Sequence, residues 1–186
     1  AFSLVKSETK DGIATLTVNR PDAMNALNET VVAQLHDAFK KASADPKVKG
    51  IVIAGAGRAF IAGADIRFFV RNIESGDLQR IVDFTKAGHA LLHDIDTCAK
   101  PVVARLHGLA LGGGLELAQA CDVLIASPRA SFAFPETGIG IYPGLGGTQR
   151  PTRRIGVGLT RWLVFTGQSL GPDEAGQLMA ATNMVP

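Results

Sequence analysis

Apolar and polar residues alternate at period two at the start of the chain and change to helical spacing afterwards. Residues 4–8 and 13–18 read as strands, with Lys10-Asp11-Gly12 as the turn of a hairpin. Residues 19–27 read as a loop. Asn28 is placed to cap a helix running to about Ser43, with Val31, Leu35, Phe39 and Ala42 as its buried stripe. Residues 50–54 form a short apolar strand, and the small-residue stretch 55–66 reads as a loop. Ile81, Phe84, Gly88, Leu91, Leu92 and Ile95 mark one face of a long helix that Lys100-Pro101 ends. Residues 102–106 are a strand feeding a glycine run and a helix-like segment, 115–121. A further strand is predicted over 122–126, and helices over 148–155, 159–166 and 172–180. Strands and helices alternate without a repeat or a linker, which predicts one α/β domain over residues 1–186.

Composition narrows the partners. With 46% hydrophobic residues, the 186-residue chain has enough apolar material for a sizeable core. Its 19 basic and 17 acidic residues leave a net charge of +2, too little for a field that attracts nucleic acid. Short basic pairs such as Lys40-Lys41 and Arg153-Arg154 read as solvated surface. No apolar run is long enough to span a membrane, and no signal-peptide pattern stands at the start. Cys98 and Cys121 lack the spacing of a zinc site or a disulfide framework and read as buried free thiols. His36, His89, His93 and His107 match no metal-ligand spacing, so no metal is expected; His89 and His93 read as helix surface or partial burial.

Chemistry concentrates at Gly112-Gly113-Gly114-Leu115-Glu116. A glycine loop opening a helix points free N–H groups outward, and the helix dipole adds partial positive charge. That suits an oxygen anion, and Glu116 stands in the same first turn. Taken alone, such a run most often serves a tight turn, and a first-turn Glu most often serves the helix end. Two better-known motifs do not apply. Gly112-x-Gly114 meets Leu117 where a dinucleotide fingerprint needs a third glycine. Gly167-Gln168-Ser169-Leu170-Gly171 fits a nucleophile elbow, but a helix precedes it and the last histidine, His107, comes too early.

Three segments fit one chemistry. The loop 60–66, with Ala62, Gly63 and Ala64, leaves backbone N–H groups open to a ligand. The second segment is Gly112 to Glu116, and the third is Phe134-Pro135-Glu136. Two N–H donors from separate loops make an oxyanion hole, and two carboxylates, Glu116 and Glu136, hold a water and move its proton. Phe132, Phe134 and Pro135 would raise the pKa of Glu136 by removing it from water. Read singly, Glu136 is as well explained as an exposed loop acid, and Asp65 as a helix N-cap.

Across these stretches the chain resembles the enoyl-CoA hydratase/isomerase (crotonase) superfamily. The matching residues are Asn19-Arg20-Pro21, Asn25-Ala26-Leu27, AFIAGADI, KPVVARLHGLALGGGLELAQACD, FAFPETGIGIYPGLGGTQR, and TGQSL with Asp173-Glu174-Ala175. The resemblance implies a crotonase-type spiral of β-β-α turns, an acyl-CoA substrate and no separate cofactor. It implies that the N–H groups of Ala62 and Gly113 bind the thioester oxygen. Met24, Ala26 and residues Ala62, Gly63, Ala64, Asp65 and Ile66 would line the coenzyme A site. Glutamate at both positions implies a hydratase acting on trans-2-enoyl-CoA, with Glu116 as general base and Glu136 as proton donor. A Δ3,Δ2-enoyl-CoA isomerase, which needs Glu136 but not Glu116, is the alternative, followed by a binding protein without chemistry.

Pro151 stands where the family usually has Leu, and residues 181–186 depart from the usual Gly-Leu-Val. Family members continue into C-terminal helices that cover the pocket and build a trimer or dimer of trimers. This chain is therefore expected to lack that segment, as a truncated form or as the hydratase part of a polypeptide carrying a 3-hydroxyacyl-CoA dehydrogenase. The expected compartment is the cytoplasm, or the mitochondrial matrix where a transit peptide has been removed.

Overall fold

A computed structural model of the chain describes residues 3–177 and the strand Asn183–Met184. The hairpin forms as the alternation predicts: β1 (Val5–Lys10) pairs antiparallel with β2 (Ile13–Val18). Asp11 (φ 52°) and Gly12 (φ 81°) both take left-handed torsions, as the two-residue turn of a twisted hairpin requires. The helix α1 (Glu29–Ala44) starts where Asn28 accepts a hydrogen bond from the Val31 N–H. Val31, Leu35, Phe39 and Ala42 are buried along it.

The main sheet adds β3 (Gly50–Gly55), β5 (Val102–Leu106), β7 (Val123–Ala126) and β9 (Asn183–Met184), in the order β1-β2-β3-β5-β7-β9. Every pairing after the first is parallel. Its β3, with five of six residues buried, carries the near-continuous apolar run of a strand covered on both faces.

A second sheet was not legible in the alternation. It consists of β4 (Ala59–Ala62), β6 (Leu109–Leu111) and β8 (Ser131–Ala133), all parallel, in the order β4-β6-β8. Each short strand follows a strand of the main sheet and leads towards a helix. After β4 come α2 (Ile66–Glu74) and α3 (Leu78–Asp96); after β6 comes α4 (Gly113–Ala120). After β8 come a 3-10 turn (Pro135–Ile139) and α5 (Arg150–Thr166). The unit is thus strand, strand, helix. The loop expected over 55–66 contains β4, and three- or four-residue strands are too short for a period-two signal.

The helices expected over 148–155 and 159–166 are two arms of α5, which breaks at Gly156 (φ 81°, ψ 164°). Pro151 sits in its first turn, where a missing N–H leaves no helical bond unmade. Of the helix expected over 172–180, α6 (Pro172–Gln177) is present; residues 178–180 lie outside the described residues, as do 181–182 and 185–186.

Register across the small sheet places the site. Ala62 pairs with Leu111, and Leu111 with Ala133. Three segments far apart in sequence therefore leave their strands side by side, at the carboxyl ends where parallel α/β sheets present ligand sites.

Candidate active site

The glycine run is fixed by close approach. A Cβ at Gly114 would lie 2.0 Å from the Ile61 carbonyl oxygen, so only glycine lets α4 start against β4. Gly112 has φ 47°, and a Cβ there would lie 2.4 Å from Glu136 Oε1. Its N–H donates to the Ala133 carbonyl at 2.9 Å, tying this loop to the end of β8. Gly113 follows as the first residue of α4, and its N–H has no acceptor among the described residues.

All eight residues of α4 are buried, so Glu116 is carried into the interior on a helix covered around its circumference. Its side chain is 1% exposed. Glu116 Oε1 accepts from the N–H groups of Leu145 and Gly147, both at 2.7 Å. Burial pushes the Glu116 carboxyl above its ordinary value, while the N–H groups of Gly147 and Leu145 and the charge of Arg150 work against that rise.

Glu136 opens the 3-10 turn after β8. Phe132 and Phe134, on either side of the end of β8, are buried, whereas Pro135 is exposed. Glu136 Oε2 is buried with no hydrogen-bond partner. Burial first, and then the charge of Glu116, push this carboxyl up to about 7 against its own backbone N–H. Two carboxyls thus share one water-poor site. One is held by two amides and the other carries an unpaired oxygen.

The first loop corrects one expectation. The N–H of Ala62 is not open to a ligand, because it donates to the Met24 carbonyl at 3.0 Å. Leu27 bridges to Ala64: its N–H donates to the Gly63 carbonyl, and its carbonyl accepts from the Asp65 N–H. A parallel bridge of this kind turns the N–H of Ala64 away from Leu27. Among the described residues nothing accepts it. Residue type could not reveal this, since the difference lies in which backbone group Met24 occupies.

Met24 and Asn25 both have left-handed torsions (φ 50° and 59°), and Asn25 is fully buried. The Asn25 amide donates to the Ala56 and Ala59 carbonyls, each at 2.8 Å, and its oxygen accepts from the Arg20 N–H. That pins residues 20–26, with the buried Ala26, against the start of β4. Asp65 caps α2 by accepting from the Arg67 N–H, and it also binds Arg20 Nη2 at 2.6 Å. Burial alone would raise the Asp65 carboxyl, but the hydrogen bond and charge of Arg20, aided by Arg67, hold it below its ordinary value. The next residue, Ile66, is exposed. A cavity of about 570 Å³ opens here, lined by Arg20, Asp65, Ile66, Arg67, Val70 and Arg71. Three guanidinium groups around one cavity were not singled out from sequence; the only signal was Arg67 and Arg71 at helical spacing after Asp65. A hollow of about 310 Å³ between β1 and α1 is lined by none of these residues.

His89 and His93 are exposed on α3. Ser169 is exposed just beyond α5, with no strand before it. Cys121 is buried and its thiol is pushed up by burial, while Cys98 is half-buried.

The model of the family described as enoyl-CoA hydratase/isomerase matches residues 8–186, and the chain belongs to that family. It is 40% identical over 176 residues to a crotonyl-CoA hydratase of Syntrophomonas wolfei, covering 94% of this chain and 66% of the relative. It is 39% identical over 171 residues to a short-chain-enoyl-CoA hydratase of Clostridium acetobutylicum, covering 90% and 63%. The crystal structure of an enoyl-CoA hydratase from Thermoplasma volcanium superposes with a TM-score of 0.91 at 35% identity, over 98% of this chain and 71% of that one. The crotonase fold inferred from the motifs is therefore the fold of this chain. The chain spans about two thirds of the length of the curated relatives it matches.

Proposed function

We propose that the chain is an enoyl-CoA hydratase, adding water reversibly and syn across the double bond of a trans-2-enoyl-CoA to give a 3-hydroxyacyl-CoA. The observation that carries this is the pair of buried carboxyls in unlike surroundings, Glu116 and Glu136. Glu116, oriented by two N–H groups, takes a proton from water as its oxygen attacks C3. Glu136, pushed up to about 7, is about half protonated at neutral pH, and its protonated form gives the proton to C2. The thioester oxygen, negative in the enolate-like transition state, accepts from the N–H groups of Gly113 and Ala64. Ala64 takes the role expected of Ala62, whose N–H is occupied.

Coenzyme A is part of the substrate, and no separate cofactor takes part. Met24, Ala26 and residues 62–66 line its path, and the phosphates lie towards Arg20, Arg67 and Arg71. The exposed Ile139, Ile141, Tyr142 and Phe165 support assembly into a trimer or dimer of trimers. No helix among the described residues is long and apolar enough to cross a membrane. The cytoplasm is the proposed compartment, with the mitochondrial matrix as the alternative.

The test is incubation with crotonyl-CoA in deuterated water. The hydratase reading expects 3-hydroxybutyryl-CoA with one deuteron at C2, and none of this product from Glu116→Ala. Conversion of a 3-enoyl-CoA to the 2-enoyl isomer, unaffected by Glu116→Ala and without hydrated product, would replace it with the isomerase reading.

A further inference from the structure

We propose that Arg150 is a positioning residue for this site: from the first turn of α5 it clamps residues 144–147 so that the Leu145 and Gly147 N–H groups converge on Glu116. The proposal rests on the reading of Glu116 as the water-activating base.

Residues 144–147 are Gly144-Leu145-Gly146-Gly147, and three glycines in four residues give the backbone little stiffness of its own. Yet two of its N–H groups meet one carboxylate oxygen, both at 2.7 Å. Something outside the segment must hold it. Arg150 Nη1 donates to the Leu145 carbonyl at 2.9 Å. The Gln149 and Arg150 N–H groups donate to the Gly146 carbonyl at 3.0 and 2.9 Å. Gly146 has φ 107°, and a Cβ there would lie 2.3 Å from Arg150 Nη1, so the guanidinium rests directly on the loop backbone. Arg150 Nη2 reaches Asp96 Oδ2, at the end of α3, at 3.4 Å. The Leu145 side chain fills the space beside Gly88 on α3, where a Cβ would lie 2.8 Å from its Cδ2. The clamp therefore joins α3, α5 and the loop, with Arg150 as the shared member.

Charge adds a second consequence. Glu116 is faced by Glu136 from the 3-10 turn and by Arg150 from α5. Arg150 is faced by Asp96, with the Cys121 thiol and Arg154 in the same electrostatic neighbourhood. Arg150 favours the ionised form of Glu116, which a base requires. Lysine would keep the charge but lose the planar fork that serves Leu145 and Asp96 together.

The test follows the Leu145 and Gly147 amides by NMR in the 186-residue chain and in Arg150→Gln, Arg150→Lys and Asp96→Asn. Their shifts report the ionisation of Glu116, and their hydrogen exchange reports the clamp. In Arg150→Gln the titration midpoint moves to higher pH and exchange of both amides speeds up about tenfold or more. Arg150→Lys keeps the midpoint nearer the wild type but shows the faster exchange, and Asp96→Asn shows a smaller increase. In parallel, kcat for crotonyl-CoA hydration falls on the order of 10- to 100-fold in Arg150→Lys with KM little changed. Wild-type exchange and midpoint in a folded Arg150→Gln would overturn the proposal. Should that variant not fold, wild-type exchange in both Arg150→Lys and Asp96→Asn would overturn it. A wild-type chain that leaves crotonyl-CoA unhydrated would refute the hydratase reading, while the amide data judge the clamp independently.

Discussion

Glu116 and Glu136 are the same side chain in one site, and their surroundings make them different reagents. Glu116 rides on a buried helix and accepts two amide hydrogen bonds through a single oxygen. Glu136 sits in a 3-10 turn, one oxygen against Gly112 and the other buried without a partner. Burial raises both, but only Glu116 has two amides and a guanidinium opposing the rise. A carboxylate held by charge-assisted bonds, each contributing about 1.5–3 kcal/mol, is suited to accept a proton in a fixed direction. A carboxyl left in a poor environment for charge is suited to give one up. The proposed roles rest on backbone placement, since residue type is identical.

The largest expected effect comes from removing either member. Glu116→Gln and Glu136→Gln should each lower kcat for hydration by about 100- to 10,000-fold. A fall in only one of them would break the pairing. Gly112→Ala should come next, because its Cβ would displace the Glu136 carboxyl and φ 47° disfavours a side chain. A loss on the order of 100-fold in kcat is expected. Gly138→Ala, where a Cβ meets nothing within 4 Å, serves as the control with wild-type rate.

The smallest effect is on stability. The Glu136 carboxyl has an ordinary value of 4.5 and is pushed up to about 7 in the fold. Between those values the folded chain binds more protons than the unfolded one, so stability falls as pH rises through that window. Glu136→Gln lacks this penalty. Discounted for the carboxyl's partial exposure to about 1 kcal/mol, it should melt about 2–4 °C above wild type at about pH 8, with no gain at about pH 4. Thermal melts at the two pH values check the sign.

Side-chain chemistry was legible in the chain, and backbone chemistry only partly so. Glu116 and Glu136 stand out as candidates through a glycine run, its spacing and the FAFPE segment, whereas Gly113 as a donor is what the family resemblance implies. Val31, Leu35, Phe39 and Ala42 follow from helical periodicity. The strands β4, β6 and β8 did not, because three or four residues cannot establish a period, although their register brings the three segments together. The free N–H in the first loop is that of Ala64 rather than the expected Ala62, because the acceptor of the Ala62 N–H, the Met24 carbonyl, arrives from 38 positions earlier through a left-handed turn pinned by Asn25. Arg150 closes the matching stretch FAFPETGIGIYPGLGGTQR, but its part in holding residues 144–147 shows only once its guanidinium is seen against Gly146.

The measurement that tests the division of labour most directly is the pH dependence of kcat/KM for crotonyl-CoA hydration by this chain. A bell is expected: a rise on the acid side as the base loses its proton, and a fall beginning near pH 7 as the Glu136 carboxyl ionises, both limbs belonging to the coupled pair. A rate that still climbs above about pH 8, or no hydration at any pH, would contradict it.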